Sequence, residues 1–174
     1  DGTATDTDTF TWTVSGTNTA PVVDTVTITP ASPTTGQTLT ATVTSHDADG
    51  DPLTTAYQWT RNGTDIGGAT GATLALATAG NGDRGDLIRV RVTVSDGTAT
   101  SPAVTASPVT VANSAPAATV DLAPNSPTTS QVVTATATRS DPDSGDAVTL
   151  TFVWKVNGVT VRTTANSASL TDTL

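Results

Sequence analysis

From Ile88 to Ser95 apolar and polar residues alternate without interruption: Ile88, Val90, Val92 and Val94 fall on one face, Arg89, Arg91 and Thr93 on the other. Period two is the mark of a half-buried β-strand, because successive side chains leave the strand on opposite sides. Shorter stretches share it. Val26 and Ile28 suit a first strand, and Leu39, Ala41 and Val43 a second, each with Thr on the opposite face. Leu53, Tyr57 and Trp59 share parity in a third, Leu74 and Leu76 mark a short fourth element, and Val109 and Val111 a last one. Asn62-Gly63 is a two-residue hairpin signal after the third strand, and Asp96-Gly97 turns the Ile88 strand into the last one. With the strand that returns from the Asn62-Gly63 hairpin there are seven, and seven strands separated by turns predict a β-sandwich.

The pattern occurs more than once. Asn18-Thr-Ala-Pro21 returns as Asn113-Ser-Ala-Pro116, Ser32-Pro-Thr-Thr35 as Ser126-Pro-Thr-Thr129, and Trp59 with Asn62-Gly63 as Trp154 with Asn157-Gly158. The offset is 116 − 21 = 95 at the proline, 126 − 32 = 94 at the serine and 154 − 59 = 95 at the tryptophan. Fixed-period similarity of this length predicts tandem domains. Residues 17–112 read as one complete repeat and 113–174 as a repeat lacking its last strands. Residues 1–16 read as the final strand of a preceding repeat, because Asp96-Gly-Thr-Ala-Thr100 maps onto Asp1-Gly-Thr-Ala-Thr5. In this register Leu174 falls opposite Thr78. The strand at 7–14, with Phe10, Trp12 and Val14 on one face, reads first as one stretch of a longer continuous array, and otherwise as a strand donated head to tail into the open domain of another subunit.

Composition sharpens the fold and narrows the function. Thr makes up roughly a quarter of the chain, and Thr and Val favour strands. All sixteen acidic residues are Asp, a turn former, and Glu is absent, so long helices are not expected. A net charge of −9 with seven basic residues argues against nucleic acid as a partner, since phosphate binding needs clustered Lys and Arg. There is no Cys, hence no disulfide and no thiolate metal site. No apolar run approaches the roughly 20 residues of a membrane-spanning helix.

Trp59 on the third strand, the Asp83-Arg-Gly-Asp86 corner before the Ile88 strand, Ser95-Asp96-Gly97 at the next hairpin, and Asp47-Ala-Asp-Gly-Asp-Pro-Leu53 together resemble bacterial tandem immunoglobulin-like repeats, of the polycystin (PKD) type or cadherin-like. The resemblance covers nearly the whole chain. It implies an all-β fold of tandem seven-stranded immunoglobulin-like β-sandwiches without disulfides, and an extracellular or cell-surface location. Trp59 then packs on aliphatic side chains alone, and the acidic linkers of cadherins are reduced to Asn-Thr-Ala-Pro and Asn-Ser-Ala-Pro.

Two acidic strings carry the candidate chemistry. Asp47, Asp49 and Asp51 alternate within five residues, and Asp141, Asp143 and Asp146 repeat them one insertion later. Such spacing can converge carboxylates on Ca²⁺, which wants six to eight oxygens and so needs carbonyls or water besides. The competing reading is a solvated Asp-Gly turn in which Asp caps its own backbone. Calcium is therefore a candidate ligand, and no cofactor is required. Arg84-Gly85-Asp86 spells an integrin-type tripeptide, but its position in a tight corner favours a turn role. Asn62-Gly-Thr64 matches a glycosylation acceptor and coincides with a hairpin turn. His46, the lone histidine, stands beside Asp47 with no positioned nucleophile or oxyanion site, and Lys155, the lone lysine, points away from the core. An enzyme is not expected. The expected role is a structural spacer or filament segment of a large bacterial surface or secreted protein, whose partners are other copies or adjacent repeats head to tail. The alternative is an adhesin module for a cell-surface glycan or protein.

Overall fold

The computed structural model describes residues 16–174 together with positions 2 and 8; most of the strand expected at 7–14 lies outside the described residues. The described chain is all-β. In the first repeat β1 (Val22–Thr29), β2 (Thr38–His46) and β5 (Thr73–Ala75) form one antiparallel sheet in the order β1-β2-β5. The second sheet runs β4-β3-β6-β7, from β3 (Thr54–Arg61), β4 (Thr64–Asp65), β6 (Leu87–Ser95) and β7 (Val104–Thr105), and β8 (Val109–Thr110) also pairs with β6. β7 and β8 lie along the same edge of β6, so the expected last strand is present in two pieces and the repeat has seven strand positions.

Alternation decides which faces meet. Ile88, Val90, Val92 and Val94 are fully buried, whereas Arg89 and Arg91 on the same strand are exposed. They join Leu39, Ala41, Leu74 and Trp59 in one core between the two sheets. Trp59 is fully buried on β3, and its indole N–H donates to the Gly71 carbonyl at 2.9 Å, so its one polar atom is satisfied. Asn62 and Gly63 have φ of 51° and 85°, the pair of positive values a type I′ hairpin demands.

The second repeat uses the same plan with fewer strands. β9 (Ala117–Ala123), β10 (Thr134–Ser140) and β13 (Thr171–Thr173) form a sheet in the order β13-β10-β9, matching β5-β2-β1. β11 (Leu150–Val156) and β12 (Val159–Ser167) form a hairpin across Asn157-Gly158. Its core is Ala135, Ala137, Leu150, Phe152 and Trp154, with Val133 packed alongside. Trp154 is the counterpart of Trp59, buried on β11, and its indole N–H donates to Asp172 Oδ2 at 2.9 Å.

One register expectation changes. Leu39 pairs with Leu74 in the first repeat, and in the second the backbones of Val133 and Leu174 exchange two 2.9 Å hydrogen bonds. Leu174 is therefore the spatial counterpart of Leu74, not of Thr78. The cause is β12, which runs nine residues where β4 runs two, so the chain needs more residues to reach the same place. Among the described residues β11 pairs with β12 alone, whereas β3 pairs with both β4 and β6. A groove of about 580 Å³ lies beside β11, lined by Val120, Leu122, Ala135, Ala137, Phe152 and Trp154 among others.

Candidate functional site

The two acidic strings form similar loops, each between the second and third strands of its repeat. Asp47 Oδ1 accepts the backbone N–H of Asp49 at 2.8 Å and that of Asp51 at 3.3 Å, and Asp141 Oδ1 accepts the N–H of Asp143 at 2.8 Å. These are Asx-type turns, the local use of Asp that competes with metal binding. In each trio the ligand oxygens lie within 4.8 Å of one another. The sequence-predicted residues thus come together three by three, and the two trios occupy different loops.

Each loop also captures the linker ahead of its own repeat. The backbone N–H of Thr19 donates to Asp49 Oδ2 at 2.7 Å, and that of Ser114 donates to Asp143 Oδ2 at 2.6 Å. The two contacts are one period apart at both partners. A carboxylate accepting from a backbone amide makes a charge-assisted hydrogen bond, stronger than a neutral pair, so each middle Asp fixes the chain as it enters the sandwich.

The second loop goes further and reaches the preceding repeat. Asp143 Oδ1 accepts the hydroxyl of Thr35, which lies between β1 and β2. The Ser144 backbone N–H donates to Asp83 Oδ2 at 2.9 Å. Arg84 places one guanidinium nitrogen 2.6 Å from Asp146 Oδ1 and another 3.4 Å from the linker side chain Asn113 Oδ1. Asp143 is only 3% exposed, and Thr35 and Ser114 are buried with it. Its carboxyl is held below the usual value of 3.8, first by the Thr35 hydroxyl and then, against the cost of burial, by the Ser114 amide and the nearby Arg84 charge. The Arg84–Asp146 pair alone is half-exposed and worth at most about 1 kcal/mol. The hold comes from the set.

Local structure explains why Arg84 points across the junction. Gly85 takes φ +86°, and its N–H donates to the Val111 carbonyl at 2.8 Å, which pins the corner against the last strand just before the linker. Asp86 Oδ2 accepts the Asp83 N–H at 2.8 Å, closing the corner from inside. Asp86 Oδ1 accepts from the Asn62 side chain at 2.6 Å, and Asn62 Oδ1 accepts the Leu87 N–H at 2.9 Å. The tripeptide Arg84-Gly85-Asp86 and the acceptor-like Asn62 are thus engaged in holding the corner and the hairpin. The His46 side chain faces Asp24, with Nδ1 2.9 Å from its carboxylate. Lys155 is exposed on β11.

The fit to calcium differs between the loops. In the second, both Asp143 oxygens accept hydrogen bonds and Asp146 Oδ1 lies 2.6 Å from a guanidinium nitrogen, so a cationic side chain already faces the trio. In the first, Asp47 Oδ2 accepts no hydrogen bond, and no Lys or Arg among the described residues pairs with Asp47, Asp49 or Asp51. Sequence reading identified both trios but missed Thr35, Asp83, Ser114 and the outward role of Arg84. The paired recurrence of linker and acidic loop at one period was the signal that could have linked Thr19 to Asp49.

Comparison with protein-family models found no match to this chain, and comparison with curated proteins found none either. No helix among the described residues is long and apolar enough to cross a membrane.

Proposed function

We propose that this chain is a structural segment of an extracellular tandem array, of the bacterial immunoglobulin-like kind, in which sandwiches are joined head to tail into a spacer or filament, and that it is not an enzyme. The observation that carries the reading is the junction. Thr35, Asp83 and Arg84 at one end of the first repeat hold Ser144, Asp143 and Asp146 of the second, while Ser114 ties in the linker. An arrangement that buries a carboxylate between two domains sets their relative position, which is what a load-bearing array needs and a flexible tether does not. Contacts of this head-to-tail kind use different surfaces on the two partners and extend into an open filament.

The groove beside β11 supports an assembly partner of the same chemistry. In the first repeat the equivalent edge of β3 is paired with β6, whose Val90 lies directly beside Trp59 in the same core. An extended strand of adjacent polypeptide with the same alternation would pair with β11 and cover Trp154, giving main-chain hydrogen bonds along the edge and apolar contacts at alternate positions.

Electron microscopy of the native material tests the array: an elongated polymer with an axial repeat of roughly 35–45 Å per domain supports it, given about 3.3 Å per strand residue. A monomer that binds a glycan or protein saturably, with no polymer, would move the assignment to the adhesin reading.

A further inference from the structure

Asp141, Asp143 and Asp146 gather at the junction, and a divalent cation is one ligand such a trio could hold. At this junction a positive charge is already in place. We infer that Arg84 is the resident cation of the Asp141–Asp143–Asp146 loop, and that the joint between the two repeats is keyed by a guanidinium and is independent of calcium.

Three observations converge. First, the guanidinium lies 2.6 Å from Asp146 Oδ1, and Asp146 is one of the three residues whose carboxylates come within 4.8 Å of one another, so the positive charge is already delivered to the trio. Second, both oxygens of Asp143 already accept a hydrogen bond, Oδ1 from the Thr35 hydroxyl and Oδ2 from the Ser114 amide. Third, Asp141 Oδ1 is used by the Asp143 amide, which shapes the loop itself. A calcium ion at the trio would compete with the guanidinium for Asp146 and would still need oxygens beyond the three carboxylates to reach its six to eight. Arginine suits the place better than lysine, because its planar fork reaches two acceptors at once. Here these are Asp146 and, at 3.4 Å, Asn113 of the linker, so one side chain ties the first repeat, the linker and the second repeat together. The corner that aims it is rigid, being closed by Asp86 and pinned to Val111 through Gly85.

The inference rests on the head-to-tail reading, and one experiment separates the two. The full chain, ¹⁵N-labelled, is followed by amide shifts and by relaxation of each repeat, in chelator and in millimolar calcium chloride. The wild type is expected to tumble as one body in both conditions, with the amides of Asp141 to Asp146 unmoved by calcium. Arg84→Gln should loosen the joint in chelator without freeing the repeats, since the other bonds of the set remain, and should make the same amides respond to calcium at least about tenfold more tightly than in the wild type, once the competing charge is gone. Arg84 is exposed, so the variant keeps its fold. Asp146→Asn cuts the same bond from the other side and should loosen the joint without gaining a calcium response. Arg84→Lys should fall between. A wild-type loop that moves with calcium while the repeats tumble together overturns the inference alone, as does an Arg84→Gln chain indistinguishable from wild type. Independent tumbling of the wild type in both conditions overturns the head-to-tail reading and the inference with it.

Discussion

Asp49 and Asp143 occupy matching positions in the two repeats and accept the same kind of linker amide, yet Asp49 is exposed and Asp143 is 3% exposed. The difference lies in the neighbour: Asp143 is covered by Thr35 and the Asp83–Arg84 corner of the repeat ahead of it. The contrast runs the other way in the cores. Ile28 is 7% exposed under β6, while Leu122, its counterpart two residues before the matching proline, is 44% exposed. A repeated pattern specifies which residues face inward and which carboxylates sit in the turn. Burial, and with it energy, depends on what the adjoining chain brings.

The largest test of that contrast compares the two tryptophans. Trp59→Ala should cost about 3–5 kcal/mol, because a fully enclosed side chain leaves a cavity and the Gly71 carbonyl loses its donor. Trp154→Ala should cost roughly half as much, since its core is smaller and opens on the groove beside β11, where the loss creates less new void. Chemical denaturation with separate probes for each repeat measures both, and equal costs would contradict the contrast. Ile28→Ala against Leu122→Ala is the same comparison at a smaller scale: about 2–4 kcal/mol for Ile28 and below about 1 kcal/mol for Leu122. Adding a peptide with the alternation of β6 should raise the cost at Leu122 and leave Ile28 unchanged, which would tie the contrast to what packs over β9.

Much of this was legible in the sequence, and the limits have physical causes. Strict alternation from Ile88 to Val94 predicts four buried side chains, and all four are fully buried. Asn-Gly at 62 and 157 predicts hairpins, because two consecutive positive φ values favour those residues. These are local signals. The junction is not local: Arg84 and Asp146 are 62 residues apart and Thr35 and Asp143 are 108 apart, and a single bond at that separation leaves no periodic trace. Arg84 therefore reads from sequence as part of a turn. The length of β12 was hidden for a different reason, since Val159, Val161 and Thr163 alternate with polar residues on an exposed hairpin arm and no burial constraint marks where it must stop.

Acid should loosen the junction in a definite window. The Asp143 carboxyl is held below 3.8 in the folded chain by Thr35, Ser114 and Arg84, so its ionised form is favoured by the fold. Its contribution is complete above the ordinary carboxylate value of about 3.9, and is lost as pH falls through the lower folded value. Separate tumbling of the two repeats should therefore set in below about pH 4, and Asp143→Asn should tumble separately at neutral pH with no further change down to that range. A joint that loosens between pH 6 and 7 would point to a different group.

The smallest expected effect is that of calcium on melting. Extracellular modules bind calcium with dissociation constants near 10⁻⁴ to 10⁻³ M, so a site with a constant of about 1 mM in about 1 mM calcium gains roughly 0.4 kcal/mol of stability. For a domain of this size that corresponds to at most about 3 °C in Tm. Whatever shift occurs should belong to the first repeat, where Asp47 Oδ2 accepts no hydrogen bond and no basic side chain among the described residues pairs with the trio. The second repeat should melt at the same temperature in calcium and in chelator, because Arg84 already supplies the positive charge its carboxylates face. Neither repeat should unfold when calcium is removed, since both cores are assembled from aliphatic and aromatic side chains. Calorimetry of the full chain with and without chelator distinguishes the outcomes. A shift confined to the first transition preserves the contrast between the loops, and a larger shift in the second would reverse it, making the junction the calcium-dependent element.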